Sequence, residues 1–272
     1  MLFRSDSTGD INFNTVGGSG FVAQTLKIHE PKPTAITSQQ LSWINNYINQ
    51  MENALYSPNW TNATGTNHYS YYMDVDAFVD QHHHVEFTRQ IDGYRLSSYY
   101  SKDRNGKFGP KPVWDWNLSF GNANYGNGGY TNGWYFGEGT DLVHPWQRRL
   151  SFGGTAASGN GGDPDYRQKI TDRWAVLRTN VLNGTRLAAR IDQIASNLTE
   201  AAARNYTKYP VINTYIWPNP EGSPWAVDYT QPTYPLIIAE MKKWVLGRYA
   251  WMDDQYMRAP TASVNPGVIP SG

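Results

Sequence analysis

The chain has 272 residues, no cysteine, and equal numbers of basic and acidic side chains at 23 each. The resulting net charge of +0 excludes the strong positive field of proteins that bind nucleic acids or anionic membranes. The lack of cysteine excludes disulfides, thiolate metal sites and a cysteine nucleophile. No apolar run approaches the roughly 20 residues that a membrane-spanning helix requires, so no membrane span is expected.

Residues 1–20 are rich in Gly, Ser, Asn and Thr, and no basic segment followed by an apolar stretch marks a signal peptide. We therefore expect an N-terminal loop, followed by a strand over Phe21–Ile28. The glycines before Lys27 are similar to those of a phosphate-covering kinase loop. Their short spacing to that lysine disfavours this interpretation.

The first helix is marked by a capping-box pattern, with Thr37 as N-cap and Gln40 three residues later. Ser57 and Pro58 end it. The helix presents an apolar stripe to a core, made of Leu41, Ile44, Ile48, Met51 and Leu55.

A second helix follows, with Asp74 or Asp76 as N-cap. Phe78, His82, Val85 and Arg89 are expected on one face and Val79, Glu86 and Gln90 beside them. The Asp92-Gly93 pair predicts the end of the helix, since Gly tolerates a positive φ.

Three consecutive histidines, residues 82–84, lie in this helix. They point about 100° apart and cannot share one metal ion. A chelate of His82 with Glu86 is less favoured than packed or hydrogen-bonded histidines.

After this helix, the side chains of the sequence alternate with a period of two residues, which predicts a strand over Tyr94–Tyr100. Residues 103–107 form a polar turn that contains Asn-Gly, a hairpin signal. The return strand is expected to carry residues 113–116. It places Asp115 between two tryptophans, where an unpaired buried carboxylate would cost several kcal/mol. Asp115 is therefore either a metal or ligand group or a carboxylate that is salt-bridged in the core.

Residues 122–140 are rich in Gly, Asn, Tyr and Trp and predict a long loop, which we call the aromatic loop. Its aromatic side chains either stack on a sugar or nucleobase or belong to an insertion that covers the site. A second glycine-rich loop covers residues 152–163, and neither loop has the phosphate-loop pattern. The C-terminal third is predicted to be helical around an irregular segment over residues 209–235, and residues 258–272 read as a linker.

Two segments, EFTRQIDGYRLSSYYSKDRNGK and GPKPVWDWNLSFGNANY, resemble the motifs of the CotH family, the spore-coat-protein-H-like atypical protein kinases. Three C-terminal segments also resemble this family, so the similarity extends over roughly residues 21–256. It implies an α+β, predominantly helical, kinase-like fold that is mostly the C-terminal lobe. The implied divisions are an N-terminal remnant (1–20), the kinase-like domain (21–257) with its N-terminal lobe largely missing, and a linker to a further module (258–272).

The resemblance implies Mg²⁺- or Mn²⁺-dependent transfer of the ATP γ-phosphate to Ser or Thr of secreted or surface, coat-like proteins. This protein would be bacterial, extracellular or at the cell surface, and part of a larger multidomain chain. Asp92 would lie near the accepting hydroxyl or a metal, and Asp115 would be the principal metal ligand, or the two roles would be exchanged. Asn117 stands where many relatives carry a second Asp, as a weaker third metal ligand.

Lys102, Arg95 and Glu86 are the residues expected to bind the nucleotide. Lys102 and Arg95 are candidates for contacts with the phosphates of ATP, or else solvated charges on a strand. Glu86 matches an acidic position of the family motif that would orient the site. The sequence lacks a clear lysine–glutamate pair of the kind that kinases use. The competing hypothesis is a catalytically inactive kinase-like module that recognises a surface protein or polysaccharide. Paired carboxylates also suit a glycoside hydrolase, which the kinase-like motifs disfavour.

Overall fold

The computed structural model describes residues 1–5, 11–18, 20–137, 145–152, 162–212, 215–218 and 233–258. Helices predominate in an α+β arrangement, as predicted. The strands in these ranges are β1 (Leu2–Ser5), β2 (Asn12–Asn14), β3 (Thr25–Glu30), β4 (Ser98–Ser101) and β5 (Gly109–Val113). The α-helices are α1 (Ser38–Leu55), α2 (Val75–Thr88), α3 (Pro145–Phe152), α4 (Pro164–Thr179), α5 (Gly184–Lys208) and α6 (Tyr234–Met257).

The strands form one antiparallel sheet of five, in the order β2-β3-β1-β4-β5. The N-terminal strand β1 lies in the middle, with Leu2 opposite both Glu30 of β3 and Ser101 of β4. The prediction of a loop over residues 1–20 is wrong, because the main chain of β3 and β4 supplies hydrogen bonds that local composition does not reveal. The predicted strand over Phe21–Ile28 is observed as β3, a few residues later.

Helix α1 begins with the predicted capping box. The Gln40 main-chain N donates to Thr37 Oγ1 at 3.2 Å, and the Thr37 main-chain N donates to Gln40 Oε1 at 2.9 Å. The apolar stripe is confirmed, with Leu41 partly buried and packed against the core and the other four members buried. Local sequence signals and packing agree in this helix.

Helix α2 begins at the predicted cap, because Asp74 Oδ1 accepts a hydrogen bond from the Ala77 main-chain N at 3.2 Å. Its predicted end at Asp92-Gly93 is wrong. The helix ends at Thr88, and Arg89 follows in the left-handed conformation with a φ of 49°. Three carbonyl oxygens of residues 127–133 accept hydrogen bonds from the Arg89 guanidinium and compensate for this unfavourable backbone.

Strands β4 and β5 form the predicted hairpin. The strand expected from Tyr94 begins only at Ser98, because the Asp92 carbonyl oxygen accepts main-chain hydrogen bonds from Arg95 and Ser97 and folds this stretch into turns. The return strand ends at Val113, before Asp115. Asp115 therefore lies on the turn that follows the sheet.

The largest apolar cluster joins the sheet to α1, α2, α3 and α4, and a second one joins α2 and α4 to α6. A third, smaller cluster consists of Val85, Ile91, Tyr94, Ala123 and Tyr135. It attaches the start of the predicted aromatic loop to the turn that carries Asp92. Helix α5 packs on α6 through Leu187 and Ile191, whereas Ile194 and Leu198, farther along the same helix, are exposed.

None of the helices in the described ranges is long and apolar enough to cross a membrane. Most of the second glycine-rich loop, most of the irregular segment over residues 209–235 and the predicted linker after residue 258 lie outside the described residues. The division at residues 20 and 257 stays a prediction.

Candidate functional site

Asp92 and Asp115 are brought together by one buried side chain, that of Gln90. The main-chain N of Asp92 donates to Gln90 Oε1 at 2.9 Å, and Gln90 Nε2 donates to the carbonyl oxygen of Asp115 at 2.6 Å. Gln90 has no exposed surface, so its position is set by packing. The main chains of the two predicted catalytic residues are thus held on either side of a fixed amide.

Asp115 is exposed and has a left-handed backbone with a φ of 58°. The expected burial between two tryptophans is wrong: half of the Trp114 surface is accessible (50%). The Trp116 indole donates instead to Thr88 Oγ1 at 2.9 Å. Since Asp115 has no basic partner in the described ranges, it is not a salt-bridged core carboxylate, and its oxygens are open to solvent or a ligand.

Asn117 lies against Asp115. Its terminal amide is 3.0 Å from Asp115 Oδ1 and 3.3 Å from the Asp115 carbonyl oxygen. With its nitrogen facing these atoms, Asn117 donates to both. With its oxygen facing them, three oxygens approach at about the 3 Å separation of neighbouring ligands around Mg²⁺. In this second orientation, the donor set fits a hard cation.

The described residues contain no cluster of three or more His, Asp or Glu side chains that would hold a metal by themselves. A cation at Asp115 and Asn117 would consequently need further oxygen ligands from water or phosphate. Mg²⁺ in phosphate-transfer sites is commonly held in this way, by one or two carboxylates and the substrate phosphates.

Asp92 is half-buried, and burial raises the pKa of its carboxyl, with a further increase from the charge of Asp115 and an opposing effect of the Arg95 charge. A carboxylate with a raised pKa is a better proton acceptor than an ordinary one. Arg95 lies near enough to influence Asp92, yet its Nε is buried and makes no hydrogen bond. The Arg95 residue as a whole is partly exposed, and its guanidinium charge suits contact with an anionic oxygen.

Glu86 is completely buried behind this region. The main-chain N groups of Tyr135 and Phe136 donate to its carboxylate, each at 2.8 Å, the Tyr94 hydroxyl donates at 2.9 Å, and Arg248 donates at 3.3 Å. Protein donors thus surround both oxygens. The predicted nucleotide contact of Glu86 is not supported, and Glu86 acts as a positioning residue that joins α2, α6 and the aromatic loop.

Lys102 lies at the other end of β4 from Ser98. Lys102 is four positions after Ser98, which corresponds to about 13 Å along an extended strand. Its Nζ donates to the Asp103 carbonyl oxygen at 2.7 Å and lies over the rings of Trp43 and Tyr47. The structure therefore does not bring Lys102 to Asp92 and Asp115.

Two of the three histidines, His82 and His83, follow the packed interpretation. His82 Nε2 is 2.7 Å from the Tyr256 hydroxyl, and His83 Nε2 is 2.9 Å from the Ile170 carbonyl oxygen. Burial lowers the pKa of both rings. His84 is exposed and edge-on to Trp116.

The aromatic loop is built into the fold as far as residue 137. Besides Arg89, two side chains of α6 hold its main chain: Arg248 donates to the Thr131 carbonyl oxygen at 3.0 Å, and Trp244 donates to that of Gly129 at 2.8 Å. The sequence pattern did not reveal the roles of Gln90, Arg89 or Arg248. One signal was available for Arg248, a charged residue four positions from both Trp244 and Met252 on a buried helix face.

Comparison with models of known protein families matches residues 6–252 to the family described as CotH kinase protein. Asp92, Asp115, Gln90 and the aromatic loop all lie inside the matched range. No curated protein and no solved structure matches the chain significantly.

Proposed function

Because the chain belongs to the CotH kinase family, we propose that it transfers the γ-phosphoryl group of ATP to a Ser or Thr hydroxyl of a protein. The proposed acceptors are secreted or surface, coat-like proteins, and the proposed setting is the outside or surface of a bacterial cell. One observation carries the proposal: within the family match, Gln90 holds Asp92 and Asp115 side by side at an open site.

In the proposed reaction, the acceptor oxygen forms a bond to the γ-phosphorus while the bond from that phosphorus to the bridging oxygen breaks, and ADP leaves. The hydroxyl proton passes to the Asp92 carboxylate, whose raised pKa suits this role. Catalysis of this kind depends mainly on positioning and on charge stabilisation. Arg95, whose side chain is partly exposed, would contact a phosphate oxygen through its guanidinium group.

Asp115 and Asn117 would hold Mg²⁺ or Mn²⁺, and their oxygen donors fit such an ion. When bound, the ion would neutralise charge on the β- and γ-phosphates. The left-handed backbone of Asp115 turns this residue out of the strand direction immediately after β5. The Gln90 hydrogen bond to its carbonyl oxygen then fixes the turn.

The second candidate is a catalytically inactive module that binds a surface protein or polysaccharide. It is favoured by the exposed aromatic side chains of the loop, among them Tyr130, which is 48% exposed. Such a module would bind its partner without metal or ATP. The two candidates therefore differ in their requirement for Asp115.

The test is calorimetric titration of ATP, with Mg²⁺ or Mn²⁺, into the wild type, Asp115→Ala and the matched control Asp103→Ala. Asp103 is also an exposed aspartate near the β4–β5 hairpin. We expect metal-dependent ATP binding by the wild type and the control, and its loss in Asp115→Ala. Absence of binding both by this chain and by a version extended at its N-terminus would overturn the kinase proposal in favour of the binding module.

A further inference from the structure

Two aromatic rings from distant parts of the chain form an exposed surface close to Asp92. Tyr125 and Trp217 stack with a centroid separation of 5.8 Å and an angle of 3° between ring planes. The Tyr125 side chain is 37% exposed and that of Trp217 is 65% exposed. We call this pair the aromatic shelf. A large planar surface left open to water commonly marks a site of contact with another molecule.

The shelf is held by hydrogen bonds between the segments that carry its rings. The Asn124 main-chain N donates to the Pro218 carbonyl oxygen at 2.9 Å, and Asn124 Nδ2 donates to the Tyr215 hydroxyl at 2.9 Å. Both bonds join the residue before Tyr125 to the segment of Trp217, one to the residue after Trp217 and the other to the residue two positions before it. The parallel arrangement of the rings is thus fixed before any ligand arrives, which reduces the entropy lost on binding.

The loop that carries Tyr125 is also anchored at the candidate site. Gly128 donates its main-chain N to the Tyr125 carbonyl oxygen at 3.0 Å. A Cβ added at Gly128 would approach the Ala123 Cβ to 2.7 Å and the Ile91 Cγ2 to 3.1 Å. Only glycine allows this close packing against Ile91, the residue directly before Asp92.

The negative charge of Asp92 also acts on the shelf. Burial raises the pKa of Tyr125, and the negative charge of Asp92 raises it further. The side chains at the shelf are uncharged: Asn124, Tyr125, Tyr215, Ile216 and Trp217. An uncharged surface beside a carboxylate is poorly suited to the polyphosphate of a nucleotide and well suited to a neutral or basic peptide.

We propose that the aromatic shelf binds the acceptor polypeptide, through a planar aromatic or proline side chain a few residues from the Ser or Thr that is phosphorylated. This inference rests on the proposed kinase function and assigns its substrate class. Stacking on the open face of this ring pair would place the acceptor segment alongside Asp92, which would take the proton of the Ser or Thr hydroxyl.

The test uses the full chain with ATP, Mn²⁺ and a peptide library in which a central Ser or Thr is flanked by degenerate positions. We expect selection of Trp, Tyr, Phe or Pro at one flanking position. With the selected peptide, Trp217→Ala should raise the peptide KM about tenfold, leave the ATP KM unchanged and leave the Tm unchanged. Trp217→Phe should restore most of the affinity, and Tyr71→Ala, which removes an exposed ring elsewhere (54%), should behave as the wild type.

The outcomes separate the two proposals. Phosphorylation with no preference for planar residues, or a peptide KM unaffected by Trp217→Ala, would overturn the shelf proposal and leave the kinase function standing. A rise in the ATP KM alone would also overturn it, because the shelf would then bind the base. No phosphorylation of any peptide, together with no metal-dependent ATP binding, would overturn both.

Discussion

Gln90 donates a hydrogen bond from its side-chain Nε2 to the main-chain carbonyl oxygen of Asp115 at 2.6 Å. The same side chain accepts a hydrogen bond from the main-chain N of Asp92. Gln90 lies two residues after the end of α2 and has no exposed surface. The relative position of the two candidate catalytic residues is therefore determined by a neutral residue that performs no chemistry.

Replacing Gln90 with Met keeps the volume of this side chain and removes both hydrogen bonds. We expect the Mn²⁺-dependent affinity for ATP to fall about 10- to 100-fold, the usual effect of losing a residue that orients a metal ligand. Calorimetric titration measures it. The control is Gln147→Met, since Gln147 is also buried but bonds to Tyr166 and Ser151. An equal loss of affinity in both variants would mean that general destabilisation, not lost positioning, is responsible.

Arg248 and Glu86 form an ion pair in which neither side chain is exposed. Arg248→Met would leave the Glu86 carboxylate without its ion-pair partner and would remove hydrogen bonds to three main-chain carbonyl oxygens, of which that of Gly133 keeps a bond from Arg89. We expect the free energy of unfolding to fall by about 3–5 kcal/mol, the typical cost of breaking a buried pair on one side. Urea denaturation at neutral pH measures this loss.

The matched control is Arg204→Met, because Arg204 pairs with Glu200 on the exposed surface of α5. Exposed pairs of this kind contribute little to stability. If the two variants were equally stable, the buried pair would not be holding the helices and the aromatic loop together.

The parts of the fold that local sequence determines were predictable. The capping box at Thr37 and Gln40 and the stripe that follows it contain their own hydrogen-bond partners and their own periodicity, so α1 could be predicted with its N-cap and its buried face. Strand β1 contains neither. Its pairing partners are β3 and β4, about 25 and 95 residues away along the chain, and no local pattern specifies them.

The candidate site was predictable in its residues and not in its geometry. The motif match selected Asp92 and Asp115, but a Trp-Asp-Trp sequence looks the same whether the chain continues as a strand or turns at the aspartate. The chain turns because Asp115 adopts a positive φ and Gln90 captures its carbonyl oxygen. Both causes depend on tertiary contacts.

Arg89 combines a left-handed backbone with a guanidinium that holds the aromatic loop. Its Nε donates to the Asn127 carbonyl oxygen at 2.6 Å, and its Nη1 donates to those of Asn132 and Gly133 at 2.9 and 2.8 Å. Arg89→Lys keeps the charge, but a lysine ammonium group cannot reproduce the forked geometry of these three hydrogen bonds. We expect the free energy of unfolding to fall by about 3 kcal/mol, since two or more charge-assisted hydrogen bonds are removed. We also expect faster amide hydrogen exchange over residues 122–135.

Mass-spectrometric hydrogen exchange on peptides of the loop checks this expectation. Arg186→Lys is the control, because the Arg186 side chain is exposed and bonds to Asn180 at the α4–α5 connection. Unchanged exchange of the loop in Arg89→Lys would contradict the anchoring role.

The burial of the His83 ring predicts that the protein loses stability in acid. Its Nε2 donates to the Ile170 carbonyl oxygen, and burial lowers the pKa of the ring to about 4. The unfolded chain takes up this proton near pH 6.5, so the stabilisation is fully present above that pH and is lost as the pH falls from about 6.5 to 4, by about 3 kcal/mol. His83→Gln keeps a donor for Ile170 and removes the titration. Urea denaturation between pH 4 and 7.5 should therefore show that the free energy of unfolding declines less steeply with falling pH in His83→Gln than in the wild type. The control is His84→Gln, at an exposed ring, which should follow the wild type. Parallel curves for all three proteins would refute this account.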